Sequence, residues 1–401
     1  MAERHEVVFV DGVRTPFGRA GEKGMYWNTR ADDLIVKAIV GLLERNPDVP
    51  KDRIDEVAIA ATTQQGDQGL TLGRTAALLA GLPKSVPGFA IDRMCAGAMT
   101  SVTTLAGGIA FGAYDLALAG GVEHMGRHPM GFGADPNPRF LSEKLVSAEA
   151  LNMGSTAERI HDRFPELTKE RSDRYALASQ QKAAAAYENG KLQPDLIPVS
   201  IRSESGWGLA TRDEALRPET TLEGLAGLKT PFRPHGRVTA GNASGLNDGA
   251  TISLLASEAA AKELGLTAKM KLVSFAFAGV EPEIMGIGPV PSTEKALKKA
   301  GLSITDIGLF ELNEAFAVQV LSLLDHFGIA DDDPRVNQWG GAIAMGHPLA
   351  SSGVRLMIQL AAQFKERPDV RYGLTAMCVG LGQGGSVIWE NPYFDGKKKK
   401  K

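Results

Sequence analysis

Cysteine is nearly absent from this chain of 401 residues, which has only two, Cys95 and Cys378. Two thiols cannot build a disulfide framework, so a packed core must hold the fold, and a reducing, cytoplasmic location is expected. No CxxC spacing occurs, which argues against a zinc site built from two thiols and a histidine, and no metal is expected. Charge of one sign is also lacking. The net charge is −3 and the pI about 6.2, so electrostatics give no case for nucleic-acid binding. Met1 to Glu6 run straight into an apolar strand, without the apolar stretch of a signal peptide. The stretch 396–401, with lysines at 397–401, reads as a solvated, disordered tail.

Long apolar runs are scarce, with one exception: Met94 to Tyr114 carries no charge. It is loaded with Gly, Ser, Thr and Ala, and Met99, Val102, Leu105 and Ile109 recur at helical spacing. The stretch predicts a helix buried inside the protein, and no membrane span is expected. With 43% hydrophobic and 23% charged residues, the composition is that of a soluble protein with a sizeable core. The length predicts roughly two to three units of ~150 residues.

Strand and helix alternate in the first third. The pattern predicts a strand at Glu6 to Val10, a helix over Ala31 to Glu44, a strand near Glu56 to Ala60 and a strand ending at Cys95. The uncharged helix and a strand at Leu116 to Ala119 follow. Such alternation predicts an α/β layered architecture with a mostly covered sheet. From about Gly121 the grammar changes to a Gly/Pro/Met-rich stretch, then charged helix over Glu158 to Gly190, then loops up to Gly249. Afterwards alternation resumes and echoes the first part. Asp306 to Leu312 matches the strand at Asp55 to Ile59, Met345 to Gly353 matches the turn at Cys95, and Tyr372 to Cys378 matches Leu116 to Gly120. Two similar halves sharing one interior are expected, with an excursion inserted in the first.

The two cysteines both sit where a strand is predicted to run into a Gly/Ala-rich turn. At a helix N-terminus, backbone N–H groups and the helix dipole favour a thiolate, so the Cys95 pKa is expected to fall toward neutrality. The same N–H groups can hold an oxyanion; taken alone, Cys95 also fits a buried structural thiol. His347 lies among glycines, in Gly346-His347-Pro348, where backbone can approach a substrate and an imidazole can take a thiol proton. It also fits an ordinary loop histidine. Asn313 and Glu314 follow a predicted strand and can either orient a water or cap the next helix.

Taken together, these segments resemble the thiolase family over nearly the whole chain, and the β-oxidation type in particular. The resemblance rests on Arg14-Thr15-Pro16, Gly120-Gly121-Val122-Glu123-His124-Met125 and Thr239-Ala240-Gly241-Asn242-Ala243-Ser244-Gly245. It rests further on Asn313-Glu314-Ala315-Phe316, Gly346-His347-Pro348 and Cys378-Val379-Gly380-Leu381-Gly382-Gln383-Gly384. It implies a duplicated, five-layer α-β-α-β-α fold. The two halves would be 1–121 and 273–395, with a CoA-binding loop domain at 122–248 and a return to the first half at 249–272.

The implied reaction is CoA-dependent thiolysis of 3-ketoacyl-CoA in fatty-acid β-oxidation, with coenzyme A as a substrate and no other cofactor. Cys95 would be the acylated nucleophile, His347 its base and Cys378 the acid/base. One oxyanion site would be His347 with a water held by Asn313, the other the N–H groups of Cys95 and Gly380. Met153, Arg217 and Ser244 would lie near CoA, and Met285 and Phe316 would flank the pantetheine or acyl tunnel. A homodimer or homotetramer is implied, with docking on a hydratase/dehydrogenase α-subunit as an added possibility. The resemblance leaves two other readings, a biosynthetic acetoacetyl-CoA thiolase and a non-catalytic lipid-binding protein of this fold. Ala96 and Ala98, Trp339, Ala350 and Asn152 depart from common family residues, and the added bulk is expected to alter the acyl-chain range.

Overall fold

Strand β1 (Val7–Arg14) is buried along its full length and lies near the middle of a ten-stranded sheet. The computed structural model describes residues 5–204 and 206–396, so the tail expected at 396–401 lies outside the described residues except for Gly396. After β1 come α1 (Ala31–Arg45), β2 (Glu56–Ala60), α2 (Leu72–Leu79), β3 (Gly88–Ile91), α3 (Gly97–Phe111) and β4 (Leu116–His124). The excursion carries α4 (Met153–Arg163) and α5 (Lys169–Glu188), and β5 (Asn247–Ser257) returns the chain to the sheet. The second half holds β6 (Met270–Gly279), α6 (Pro289–Ala300), β7 (Ile307–Leu312), α7 (Ala317–Phe327), α8 (Ser352–Glu366), β8 (Tyr372–Val379) and β9 (Gln383–Glu390).

The order of nine of the strands, β7-β8-β9-β6-β1-β5-β4-β2-β3, reads as the same motif met from both ends, and the tenth, the two-residue Gly18–Arg19, pairs with β5. In the first half β2 runs parallel to β3 and β4, while β5 pairs antiparallel with β4 and β1. In the second half β7 runs parallel to β8, while β9 pairs antiparallel with β8 and β6. A single parallel bridge, Phe310 to Val336, stands where β3 stands in the first half. The halves join edge to edge through Val8 with Lys271 and Phe9 with Met270. The duplication expected from sequence is therefore present, with a lone bridge in place of the second half's outermost strand.

Three large apolar clusters and a smaller fourth are buried in the fold. One lies under α1, where Leu34, Ile35, Ala38, Ile39 and Leu42 form a buried stripe at helical spacing. Another lies under α6 and α7. The third surrounds α3 and α8, which pack on each other in the central layer. A helix in that layer meets protein on most of its faces, which explains the uncharged stretch. Met94–Phe111 is long and apolar enough to cross a membrane, but two-thirds of it is buried inside the protein. Close approach of the two helices requires Gly353, where a Cβ would come within 2.5 Å of the Met99 nitrogen.

Two local expectations need correction. The strand before Cys95 ends at Ile91, four residues early; Asp92 and Arg93 lead into a short 3-10 turn at Met94–Ala96. The predicted loops before Gly249 include a hairpin, Val199–Ser203 with Gly206–Ala210, whose exposed residues hide the apolar alternation. The excursion is fastened to β1 by the buried pair Arg14–Asp213 at 2.6 Å, and the Tyr187 hydroxyl donates to the same carboxylate at 2.8 Å.

Candidate active site

Both cysteines are free thiols, and they arrive from opposite halves of the fold. Cys95 sits in the turn that opens α3, and Cys378 near the end of β8. They are close enough that charge on Cys95 disfavours ionisation of Cys378. The backbone N–H of Gly380, just past β8, points at the Cys95 sulfur. Left-handed backbone at non-glycine positions occurs beside both, at Met94 (φ 45°) and Leu381 (φ 59°). Such conformations cost free energy and persist where the surroundings impose them. For Met94, the Asp92 carboxylate accepts its N–H at 2.6 Å.

The expected fall of the Cys95 pKa does not occur. Burial pushes it up to about 12; the Gly380 N–H opposes that rise, and the Glu123 carboxylate adds to it. Burial likewise raises Cys378 well above the ordinary thiol range, with Cys95 adding to the effect. Desolvation of the anion outweighs the turn's dipoles, so the resting enzyme holds two neutral thiols and needs a base.

His347 is buried, 3% exposed. Its proton arrangement follows from its neighbours. Arg355 Nη2–H donates to Asn313 Oδ1 (3.1 Å), which turns the Asn313 Nδ2 toward His347 Nε2 (3.3 Å). Nε2 therefore accepts, and Nδ1 carries the ring hydrogen and donates it to Ser352 Oγ (2.6 Å). The Ser352 hydroxyl in turn donates to the Pro348 carbonyl at 3.3 Å. Burial, with the nearby Arg355 charge, lowers the imidazole pKa to about 3. The result is a neutral ring whose Nε2 lone pair faces the Asn313 Nδ2.

Two buried carboxylates hold the supporting loops. Glu314 accepts from Ser179 Oγ (2.6 Å), Asn337 Nδ2 (2.8 Å), Ile343 N–H (3.1 Å) and Tyr175 OH (3.2 Å). It thereby fixes the segment leading to His347 rather than a water or a helix cap. Glu123 accepts from Gln68 Nε2 (3.0 Å), Thr62 N–H (3.1 Å) and Ala350 N–H (3.2 Å), securing the turn after His347. That turn, Leu349–Ser351, packs against the Cys95 turn. Asn247 Oδ1 accepts the His347 N–H at 2.9 Å.

The expected binding residues fall into two groups. Met153 and Met94 both border Gly380: a Cβ there would lie 2.7 Å from the Met94 sulfur and 3.4 Å from that of Met153. Met285 and Phe316 share the buried cluster that contains Cys378, and the segment carrying Met285 packs on α4. Arg217 lines a separate open cleft of about 460 Å³, with Gln180, Leu225, Leu228, Ala243 and Asn247. Ser244 hydrogen-bonds the Ala315 carbonyl beside that cleft. Met94, Ser352, Arg355, Asn247 and Glu123 had no assigned role in the sequence reading, although Ser352 and Arg355 lie just beyond His347. Among the described residues no cluster of His, Cys, Asp or Glu has the makings of a metal site.

Ala96, Ala98, Trp339 and Ala350 are buried, whereas Asn152 is exposed. Trp339 is buried with Ala183, Tyr187, Leu216 and Met345, filling the contact with α5. Ala350 packs between Gly97 and Gly121. Asn152 caps α4, its Oδ1 accepting the Ser155 N–H at 3.0 Å.

Family models match both halves of the chain. The model of the thiolase N-terminal domain matches residues 7–259, and that of the thiolase C-terminal domain residues 266–391. A 3-ketoacyl-CoA thiolase of Aliivibrio fischeri is 44% identical over 96% of this chain and 99% of its own. A 3-oxoadipyl-CoA/3-oxo-5,6-dehydrosuberyl-CoA thiolase of Escherichia coli K12 is 43% identical, with the same coverage. The crystal structure of human mitochondrial 3-ketoacyl-CoA thiolase superposes with a TM-score of 0.87 at 35% identity, over 96% of this chain and 99% of that one. Fold and sequence together make the protein an acyl-transferring enzyme. The chain belongs to the thiolase family.

Proposed function

We propose that the protein cleaves 3-ketoacyl-CoA with CoA, giving acetyl-CoA and a shortened acyl-CoA, in fatty-acid β-oxidation. What supports this reading is the meeting of two thiols, one from each half, with the Gly380 N–H facing the Cys95 sulfur and the turn that follows His347 packed on the Cys95 turn. His347 Nε2 takes the Cys95 proton, and the sulfur attacks the 3-keto carbon. The C2–C3 bond breaks, leaving an acyl thioester on Cys95, and Cys378 protonates the departing acetyl-CoA enolate. The Cys378 thiolate then takes the proton of the second CoA, whose sulfur attacks the acyl group. Cys95 leaves and recovers its proton from His347. Negative charge on one oxygen meets the N–H groups of Gly380 and Cys95; on the other it meets His347 and the Asn313 side.

The cleft at Arg217 suits the CoA nucleotide, and the apolar border of Met94, Met153, Met285 and Phe316 suits an alkyl chain. Coenzyme A enters as substrate, and the mechanism uses no further cofactor. Strand β3 leaves its outer edge open, with Leu78 and Leu79 exposed on the adjoining α2, which supports a homo-oligomer formed by covering that edge. A dimer is the simplest such assembly; a tetramer or a complex with a hydratase/dehydrogenase subunit would add contacts elsewhere. Reduced thiols in these roles suit the cytoplasm. Thiolysis assayed over a length series of 3-ketoacyl-CoA substrates, with a dicarboxylic one included, tests the assignment. Turnover of C8 or longer chains is expected. Activity confined to the four-carbon substrate would favour a biosynthetic enzyme, and none at all a binding protein.

A further inference from the structure

Asn313 stands between His347 and a guanidinium that belongs to the helix behind it. Arg355 of α8 is fully buried. Its Nη1–H donates to Gln359 Oε1 (2.6 Å), its Nη2–H to Asn313 Oδ1 (3.1 Å), and the Glu311 carboxylate lies 3.6 Å away. Gln363 Nε2 donates to the other Glu311 oxygen at 2.7 Å, while Arg355 Nε and Glu311 Oε2 have no hydrogen-bond partner. A buried cation with so incomplete a shell is a poor way to fill space, since apolar residues of like volume pack at least as well. Its contact with the active site is the Asn313 amide.

An amide has nearly the same shape either way round, and hydrogen bonds alone choose its orientation. With a guanidinium on one side, Oδ1 turns to Arg355 and Nδ2 turns to His347. Flipped, the amide would set Oδ1 against Nε2 and favour a ring hydrogen there, leaving no lone pair for Cys95. We propose that Arg355 is a positioning residue for thiolysis, which holds the Asn313 amide in the one orientation that keeps His347 Nε2 an acceptor. The proposal rests on His347 and Asn313 acting as described above. The Arg355 charge also helps burial keep the imidazole neutral. The other charged groups acting on Arg355 are Glu311 and Glu314 at the end of β7, then Arg14 and Asp213.

The test is a mutant cycle on the full-length enzyme, with acetoacetyl-CoA and CoA as substrates. Arg355→Met is made together with Glu311→Gln, so that no lone carboxylate is left buried, and is combined with Asn313→Ala. A kcat loss of about 100-fold with KM within threefold is expected, since small misplacements of reacting groups cost that much. In the Asn313→Ala background the same change is expected to cost less than threefold more, because the residues act as one unit. A folded variant with kcat within threefold of the parent, or losses that multiply, would overturn the proposal. Should the methionine variant not fold, Arg355→Lys keeps the charge but loses the planar fork, and at least a tenfold kcat loss is expected. A lysine variant with the parent's kcat would overturn it equally. If Asn313→Ala alone leaves turnover intact, the reading of the site fails. If Asn313→Ala is crippled and the losses multiply, only the role of Arg355 fails.

Discussion

Replacing Ser352 by alanine removes the acceptor of the His347 Nδ1–H bond, 2.6 Å long and wholly buried. Leaving a buried N–H without a partner costs about 1–3 kcal/mol. The ring can escape that cost by moving its hydrogen to Nε2, which then faces the Asn313 Nδ2 and the thiol side as a donor and cannot serve as base. Tied to the transition state, the same 1–3 kcal/mol slows the reaction by roughly 5- to 150-fold. The assay is thiolysis of acetoacetyl-CoA by purified Ser352→Ala, with a urea melt to show that the fold survives. A fall of kcat/KM by about 10- to 100-fold is expected. A folded variant within twofold of the parent would refute the idea that this hydrogen bond sets the tautomer.

Alkaline stability provides another prediction. A thiol raised by burial from 9.0 to about 12 keeps its proton in the folded state while the unfolded chain loses one. The stabilisation is present below pH 9.0 and is lost as pH rises toward 12, by at most about 1.4 kcal/mol per pH unit. Urea melts between pH 8 and 10.5 should therefore show a shallower decline for Cys95→Ala than for the parent; parallel declines would count against a neutral, buried nucleophile. Trp339→Ala should destabilise the protein by about 3–5 kcal/mol, as emptying a large core site does. Its order of preference among acyl chain lengths should be unchanged, because the side chain faces α5; an altered preference would place Trp339 at the acyl site after all.

The duplicated architecture was legible because both halves use the same order of strand, helix and turn, and because only a central helix needs a stretch as uncharged as Met94 to Tyr114. Local ends were less legible. Strand β3 is four residues long and half-buried, so Ile91 and Cys95 look alike in an apolar pattern that does not mark the left-handed turn at Met94. Motifs could nominate candidate site residues, but not their electrostatics. Dipoles at a helix start are visible in sequence, whereas the burial that drives the Cys95 thiol up and the His347 imidazole down exists only once the layers have closed. Arg355 looked like any helix arginine, since its importance depends on Asn313, which comes from another element. The bulk of Trp339 was visible too, but not the direction in which it points.

The central claim is that Cys95, and not Cys378, carries the acyl group. Rapid quenching of the enzyme with a 3-ketoacyl-CoA in the absence of free CoA, followed by intact mass and peptide mapping, tests it most directly. One acyl group is expected on the peptide holding Cys95, released when CoA is added and absent in Cys95→Ala. Acylation mapped to Cys378, or full turnover by Cys95→Ala, would contradict it.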